Sequence, residues 1–286
     1  MTLLDFVDLL RLRQWYKNVV VFLAIFFVGD LFNLHQLSLS GLAFLSLCLI
    51  SSVGYIINDI ADLKKDRLHP EKKIRALAAG RISVIMALLF AVIFFFFGFF
   101  VAYKINFWFV NMLVFFFVLE LLYTFVFKKI IFADVIGISM LFVSRAVAGA
   151  VAIDVDVSPW LILCPFFLAL FLAVGKRHSD LLLLGEKARN TRKVLADYSL
   201  ELTNALMLMA TTLLVISYAF YSFLSVHQNL MLSLPFALFA VFRYFSLVQS
   251  GSIIARHPEQ VWKDKAMIVG ILLWIFVMFL LLYLHF

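Results

Sequence analysis

The sequence predicts an all-α integral membrane protein. Of its 286 residues, 65% are hydrophobic and 14% are charged, whereas soluble domains average about 45–50% apolar and about 25% charged residues. The mean hydropathy is +1.07, and the 34 phenylalanines suit a lipid-facing surface better than a closely packed aqueous core. This composition excludes an ordinary soluble enzyme, a coiled coil and a disordered chain.

Nine apolar segments are long enough to cross a membrane, since a spanning helix needs about 20 mostly apolar residues. Turn residues occur in or beside the short links between them, and two links, 58–81 and 176–201, are long and polar. No link could form a soluble domain, so we expect residues 1–286 to form one membrane domain. The predicted spans cover approximately 18–34, 39–57, 82–103, 106–127, 130–153, 158–175, 202–226, 228–248 and 266–286.

The basic residues predict the orientation of these spans. Of the 24 Lys and Arg residues, 22 lie on one side: at the N-terminus, in the links 58–81, 127–130 and 176–201, and in the stretch 243–265. The exceptions are Lys104, on the opposite side, and Arg145, within a span. Because cytoplasmic links carry the excess of Lys and Arg, we expect a cytoplasmic N-terminus and, after nine crossings, an outside C-terminus. This topology accounts for the positive net charge, so no nucleic-acid partner is expected. Asp5 and Asp8 precede the first apolar run, and no removable signal peptide is expected.

A carboxylate-rich motif opens the first long link. It reads Asn58-Asp59-x-x-Asp62-x-x-x-Asp66, and its spacing places the three carboxylates on one face if the preceding helix continues through them. Mg²⁺ commonly takes one or two carboxylates and completes its shell with substrate phosphate oxygens, and basic residues can hold the outer oxygens. The motif therefore favours a metal-bridged diphosphate over a solvated charged loop. The nearby basic residues are Lys64, Lys65, Arg67, Lys72, Lys73 and Arg75.

This motif resembles the first aspartate-rich motif of the UbiA superfamily of intramembrane prenyltransferases, which has nine spans and a polar cavity facing the cytoplasm. Ala76 departs from the superfamily, since many members have Pro after the preceding Arg. The second long link departs further. Members that transfer prenyl groups carry a second aspartate-rich motif there, whereas this chain has Gly175-Lys176-Arg177-His178-Ser179-Asp180.

The order of several weaker motifs resembles the decaprenyl-phosphate phosphoribosyltransferase branch of that superfamily. These motifs extend over nearly the whole chain, from residue 11 to about residue 265. They are Arg13-Gln14-Trp15-Tyr16-Lys17-Asn18, the Lys176-Arg177 stretch, Arg243-Tyr244, Gly251, His257-Pro258-Glu259 and Asp264-Lys265.

The resemblance implies transfer of 5-phosphoribosyl from 5-phosphoribosyl 1-diphosphate to a polyprenyl phosphate at the cytoplasmic face of the cell membrane. It implies Asp59 and Asp62 as Mg²⁺ ligands, with Asn58 and Asp66 supporting them. A lipid phosphate is already an anionic nucleophile, so no general base is needed, but cations are needed to hold two phosphorylated substrates together. The residues expected to contact the substrates are Lys17, Asn18, Arg67, Lys73, Arg75, Tyr123, Lys129, Asp134, Arg145, Lys176, Arg177 and Asp180.

Some of these residues have a second interpretation. Ionisable groups inside a bilayer normally face the protein interior and mark function, and the predicted spans contain Glu120, Asp134 and Arg145. Asp134 and Arg145 lie on nearly the same helical face, so an internal ion pair between them is the alternative to a role in the pocket. Tyr123 is either a substrate contact or an interfacial anchor.

Two other functions are weighed against phosphoribosyl transfer. The first is prenyl transfer to an aromatic ring or a glycerol phosphate, which would require a second carboxylate pair after the sixth span. The second is an ion-coupled transporter, but transporters usually show internal repeats and broken helices near the midplane. We find no repeat, and the charges cluster at the expected cytoplasmic mouth.

Overall fold

A computed structural model describes residues 3–68, 72–185, 193–225 and 228–284. Every regular element within these ranges is helical, which confirms the all-α prediction. The α-helices are α1 (Leu3–Leu10), α2 (Leu23–Val28), α3 (Leu34–Ala61), α4 (Leu63–Asp66), α5 (Val84–Tyr103), α6 (Phe107–Phe125), α7 (Ala133–Ala152), α8 (Pro159–Leu184), α9 (Leu200–Leu224), α10 (Leu234–Gln249), α11 (Ile253–Arg256) and α12 (Lys265–Tyr283). Short 3₁₀ helices occupy Leu12–Phe22, Lys72–Ile74, Phe127–Lys129, Lys193–Ala196, Gln228–Ser233 and Pro258–Lys263.

Eight helical segments within the described ranges are long and apolar enough to cross a membrane. Polar side chains cap the starts of several: Asn33 accepts hydrogen bonds at the start of α3, and Ser83, Asn106 and Ser158 do so for α5, α6 and α8. Such caps satisfy backbone N–H groups that have no partner within the helix. The protein is a multi-pass membrane protein.

The first predicted span, 18–34, does not form a continuous α-helix. It is divided between the 3₁₀ helix Leu12–Phe22 and the six-residue α2, and Gly29, at φ +89°, ends α2. Runs of 3₁₀ helix longer than three or four residues are uncommon. Side-chain hydrogen bonds from Trp15 and Asn18 to α3 hold this one in place.

Two spans continue beyond their predicted ends. The helix α3 runs to Ala61 and so includes Asp59, and α8 runs to Leu184 rather than ending near residue 175. The expectation that Lys176 begins a polar link is therefore wrong. Hydropathy falls at Lys176, but the helix continues because the charged residues of this stretch include buried ones paired within the protein, as the ion pair between Arg177 and Asp134 shows. The segment 186–192 lies outside the described residues.

The chain divides into two compact units. The first comprises Met1–Val126 and Ser144–Val157, and the second comprises Phe127–Val143 and Ser158–Phe286. In the first unit, α3 packs against α5, α6 and the long 3₁₀ helix. In the second, α8 packs against α9, and α10 packs against α12. Many large apolar side chains remain exposed, Phe96 and Ile85 among them, as expected for surfaces that face lipid. That residues 1–286 act as one domain stays a prediction.

Candidate functional site

The aspartate-rich motif forms a compact charged cluster in the first unit. Asp59 lies in the last turn of α3, Asp66 ends α4, and both side chains are buried. The Nη1 atom of Arg75 donates to Asp59 Oδ1 at 3.1 Å and to Asp66 Oδ2 at 2.6 Å. Arg11 also donates to Asp59, and Lys72 Nζ lies 3.7 Å from Asp66 Oδ1. We name these five residues the mouth cluster.

Asp62 lies beside the mouth cluster but is not bridged by Arg75. It caps α3 with non-helical dihedral angles, φ −97° and ψ 5°, so the helix breaks between Asp59 and Asp66. Its Oδ1 atom lies 4.0 Å from Lys65 Nζ, and its side chain is partly exposed. The predicted shared face of three carboxylates is therefore interrupted at its middle member.

The N-terminal helix holds the mouth cluster together. Asp8 Oδ2 accepts a hydrogen bond from the Ala76 backbone N–H at 2.7 Å, and Asp5 Oδ1 accepts one from Arg81 Nε at 2.6 Å. These bonds tie α1 to the segment that carries Arg75. From the sequence alone, Arg11 is only one of the cytoplasmic charges and Asp8 has no predicted role in the site, because no local spacing connects them with Asp59 or Ala76.

The carboxylate groups of the mouth cluster are suitable ligands for a divalent cation. One guanidinium nitrogen already bonds both Asp59 and Asp66, so a single cation can lie between these two carboxylates. Carboxylate oxygens are the ligands Mg²⁺ prefers. Within the described parts of the chain, no three His, Cys, Asp or Glu side chains converge to enclose a metal on their own. A metal at this position would therefore need oxygen ligands from a substrate or water.

A second polar network lies inside the first unit. Arg145 Nε donates to Asn18 Oδ1 at 2.7 Å, and Arg145 Nη2 lies 3.7 Å from Glu120 Oε1. The guanidinium also lies over the Phe116 ring, 4.7 Å from its centroid. Asn18 donates in turn to Cys48 Sγ at 3.2 Å. Because all of these side chains are buried, the network joins the 3₁₀ helix Leu12–Phe22 to α3, α6 and α7.

The alternative of an ion pair between Asp134 and Arg145 is wrong. Each residue has other partners: Arg145 bonds Asn18 and Glu120, whereas Asp134 bonds Arg177 and Tyr198. Residues eleven positions apart on one helix are separated by about 16 Å along its axis. That distance is too long for an ion pair, although the two side chains share a face.

The second unit contains a buried triad of Asp134, Arg177 and Tyr198. Arg177 Nε donates to Asp134 Oδ2 at 2.8 Å, and the Tyr198 hydroxyl donates to Asp134 Oδ1 at 2.8 Å. The side chain of Arg177 is 2% exposed and that of Asp134 is 0% exposed. Burial, and then the neighbouring Asp134 carboxylate, raises the pKa of Tyr198 above its usual value. The phenol therefore remains a hydrogen-bond donor to Asp134 at physiological pH.

Other polar groups near the end of α8 are also paired. Asp180 Oδ1 accepts a hydrogen bond from Arg256 Nε at 2.9 Å, a contact that sequence reasoning missed. His178 Nδ1 lies 2.9 Å from Thr203 Oγ1 and is buried, which favours a structural role. Arg177, Arg256 and the half-buried Lys176 supply three cations here, against the carboxylates of Asp134 and Asp180.

The remaining predicted contacts are distributed over the surface. Arg67, Lys73 and Lys129 are exposed, while Lys17 and Tyr123 are half-buried. The structure brings Asp59, Asp66 and Arg75 together, as it does Asn18 with Arg145 and Asp134 with Arg177. The substrate-binding roles of all these residues stay predictions.

The fold and these buried charged clusters define a multi-pass membrane protein of UbiA-like architecture. A solved structure of a UbiA homologue from Archaeoglobus fulgidus, bound to GPP and Mg²⁺, is 20% identical and superposes with a TM-score of 0.73, covering 96% of this chain and 99% of that one. A structure of digeranylgeranylglyceryl phosphate synthase is 18% identical, with a TM-score of 0.66 over 97% of this chain and 98% of that chain.

The chain belongs to the UbiA prenyltransferase family, which matches residues 18–182. A decaprenyl-phosphate phosphoribosyltransferase from Corynebacterium glutamicum is 32% identical over 96% of this chain and 85% of that protein. The protein of the same name from Mycobacterium tuberculosis is 29% identical over 94% of this chain and 91% of that protein. The protein is therefore a membrane transferase.

Proposed function

We propose that the protein transfers 5-phosphoribosyl from 5-phosphoribosyl 1-diphosphate to a polyprenyl phosphate and releases diphosphate. The observation that carries the proposal is the charge at the end of α8. A prenyl diphosphate donor would call for a second carboxylate pair there, to bind metal. Instead the described part of this end has Lys176, Arg177 and Arg256, and its carboxylates, Asp134 and Asp180, are engaged by Arg177 and Arg256. The relatives named for this reaction, similar over most of the chain, support the same conclusion.

The chemistry requires positioning more than proton transfer. An oxygen of the lipid phosphate attacks the anomeric carbon of the donor, a new carbon–oxygen bond forms, and the bond to the diphosphate breaks. The attacking oxygen is already anionic, so no side chain has to remove a proton. The protein must instead hold two anionic substrates, and fixed cations would assist this: Lys17 and Lys73 in the first unit, and Lys176 in the second.

The mouth cluster is the proposed site for the donor's diphosphate. Asp59 and Asp62 would hold Mg²⁺, with Asn58 and Asp66 supporting them. Because Asp66 shares the Arg75 guanidinium with Asp59, Asp66 is a stronger candidate for a role at the metal site than its spacing alone suggests. A bound Mg²⁺ would neutralise charge on the departing diphosphate. The guanidinium of Arg75 would compensate the charge of the carboxylates and hold them in position to bind the metal.

The proposed topology places the mouth cluster at the cytoplasmic face of the cell membrane. The long 3₁₀ helix and α2 together measure about 31 Å at their standard rises per residue. The hydrocarbon core is about 30 Å thick, so this interrupted segment is the proposed ninth crossing. With a cytoplasmic N-terminus, nine crossings leave the C-terminus outside.

Cysteine labelling tests this orientation. In a variant with Cys48 and Cys164 replaced by Ala, a cysteine at the exposed position Leu68 should be shielded from an impermeant thiol reagent in intact cells. A cysteine at exposed Val157, on the opposite side, should react. Labelling at position 68 without permeabilisation would contradict the orientation.

Gly149→Ala tests whether the buried Arg145 network positions Lys17. An added Cβ would clash with the Val21 backbone oxygen, so the 3₁₀ helix would have to move. We expect the KM for a phosphorylated substrate to rise on the order of tenfold, equivalent to about 1.4 kcal/mol, with a smaller change in kcat. Gly41→Ala is the control, because its Cβ meets nothing within 4 Å. An unchanged KM in a folded Gly149→Ala protein would exclude this positioning role.

A transfer assay tests the proposed function. The purified protein in detergent is incubated with labelled 5-phosphoribosyl 1-diphosphate, polyprenyl phosphate and Mg²⁺. Label should enter the organic phase, and omission of the polyprenyl phosphate should abolish this transfer. Failure to transfer label under conditions in which the protein is folded would refute the proposal.

A further inference from the structure

A cavity of about 400 Å³ lies at the end of the first unit opposite the mouth cluster. The starts of α3 and α6 and the end of α7 line it, and it lies about 36 Å from Asp59 along α3 at the standard helical rise. Its volume falls within the range typical of ligand sites, about 300–1,000 Å³. None of the residues assigned to phosphoribosyl transfer lines this cavity.

Two acceptor groups on the cavity wall have no partner among the residues that the structure describes. The Oε1 atom of Gln36 is buried and accepts no hydrogen bond. The side chain of Asp154 makes no hydrogen bond or ion pair with any residue that the structure describes. A buried acceptor without a donor, such as Gln36 Oε1, is costly, whereas the exposed Asp154 carboxylate is accessible to a ligand. A ligand that donates hydrogen bonds would satisfy both groups.

Three of the backbone donors at the same place are already used. Asn33 Oδ1 accepts from the N–H groups of His35 and Gln36, and Asn106 Oδ1 accepts from that of Phe109. The starts of α3 and α6 therefore offer fewer of the open N–H groups that bind anions. The cavity presents acceptors to a ligand.

The charges around this end of the unit also favour a cation. Asp30 and Asp156 lie in the same set of links as Asp154, and Lys104 is the one basic residue there. The Lys104 ammonium lies over the Phe100 ring, 5.4 Å from its centroid, and is not paired with these carboxylates in the described structure. The links are thus net negative.

We propose that this cavity binds the primary ammonium headgroup of an aminophospholipid. The three N–H donors of an ammonium can bond the Asp154 carboxylate and Gln36 Oε1. The ammonium can also make a cation–π contact with the Trp108 ring. Leu39 and Ile153 supply apolar wall for the glycerol end of the lipid. A divalent metal fits less well, since Ca²⁺ and Mg²⁺ take at least six oxygen ligands and this cavity supplies one carboxylate.

Native mass spectrometry of the purified protein tests the proposal, with phosphatidylethanolamine, phosphatidylcholine and phosphatidylglycerol offered in equal amounts. Phosphatidylethanolamine should be retained preferentially, because the choline headgroup has no N–H donor and the glycerol headgroup has no cation. Asp154→Asn should weaken its retention about tenfold, as expected for loss of a charge-assisted hydrogen bond. Gln36→Leu should also weaken it. Asp156→Asn, a neighbouring exposed carboxylate outside the cavity, should have no effect.

Two results would overturn the proposal. Equal retention of the three lipids would show that the cavity does not recognise an ammonium, and unchanged retention in Asp154→Asn would show that the lipid binds elsewhere. Free ethanolamine at the same concentration should not displace the lipid, since the apolar wall contributes only to lipid binding. Displacement would reassign the cavity to soluble amines. Because the readout is binding, failure here would leave the proposed phosphoribosyl transfer untouched.

Discussion

Asp59→Asn is expected to reduce turnover by at least about a hundredfold. The change keeps the shape of the side chain but removes a charge that bonds both Arg11 and Arg75 and that is proposed to hold Mg²⁺. Metal stabilisation of a leaving group contributes several kcal/mol, and each ~1.4 kcal/mol is a tenfold change in rate. Steady-state turnover across a Mg²⁺ titration measures the effect.

The control for this variant is Asp30→Asn, which removes a carboxylate from the opposite end of the first unit. It should retain normal turnover, and both proteins should show similar thermal stability in detergent if the mouth cluster acts on the reaction rather than on folding. Near-normal turnover by Asp59→Asn at saturating Mg²⁺ would show that these carboxylates are only a charged face of the loop.

Arg177→Met is expected to destabilise the protein by about 3–5 kcal/mol, the cost of leaving one partner of a buried ion pair uncompensated. The partner left behind is Asp134, whose side chain is completely buried. Thermal unfolding in detergent should show a fall in Tm on the order of 10 °C. Adding Asp134→Asn to this variant should recover part of the loss, because the unpaired charge is then removed.

Lys176→Met is the matched control, one position earlier on α8 and only half-buried. It should leave Tm nearly unchanged and raise the KM of a phosphorylated substrate more than it lowers kcat. If instead Arg177→Met raises KM and leaves Tm unchanged, then Arg177 contacts substrate directly and the buried triad is not structural.

The local features of the site could be predicted from sequence because they depend on spacing and composition. The spacing of Asn58, Asp59, Asp62 and Asp66 marked one charged cluster, and hydropathy identified eight segments that the structure forms as long helices. Both signals are short-range. Neither signal depends on how the helices pack against one another.

The pairing of charges could not be predicted, because it depends on how distant helices pack. Arg11 reaches Asp59 across 48 positions, Arg177 reaches Asp134 across 43, and Arg256 reaches Asp180 across 76. The shared face of Asp134 and Arg145 suggested an ion pair, but the length of the helix between them prevents one. The hydrogen bond between Arg145 and Asn18 forms because the 3₁₀ helix lies against α7, which no sequence spacing indicates.

The ends and continuity of the helices were misjudged for a related reason. Hydropathy ends a span where charges begin, yet α8 continues to Leu184 because charges such as Arg177 are compensated inside the protein. The opposite error occurred in the first predicted span. The apolar run predicts an α-helix, although anchoring side chains hold its first part as a 3₁₀ helix and Gly29 ends it early.

Mass spectrometry of the lipid product tests the central claim most directly. One reaction contains the purified protein, Mg²⁺, two donors and three acceptors: 5-phosphoribosyl 1-diphosphate, geranylgeranyl diphosphate, polyprenyl phosphate, 4-hydroxybenzoate and glycerol phosphate. The proposed function predicts a single new lipid, polyprenyl-phosphoryl 5-phosphoribose. Prenylated 4-hydroxybenzoate or glycerol phosphate, with no phosphoribosylated lipid, would contradict it and would make the protein a prenyl-transferring member of its family.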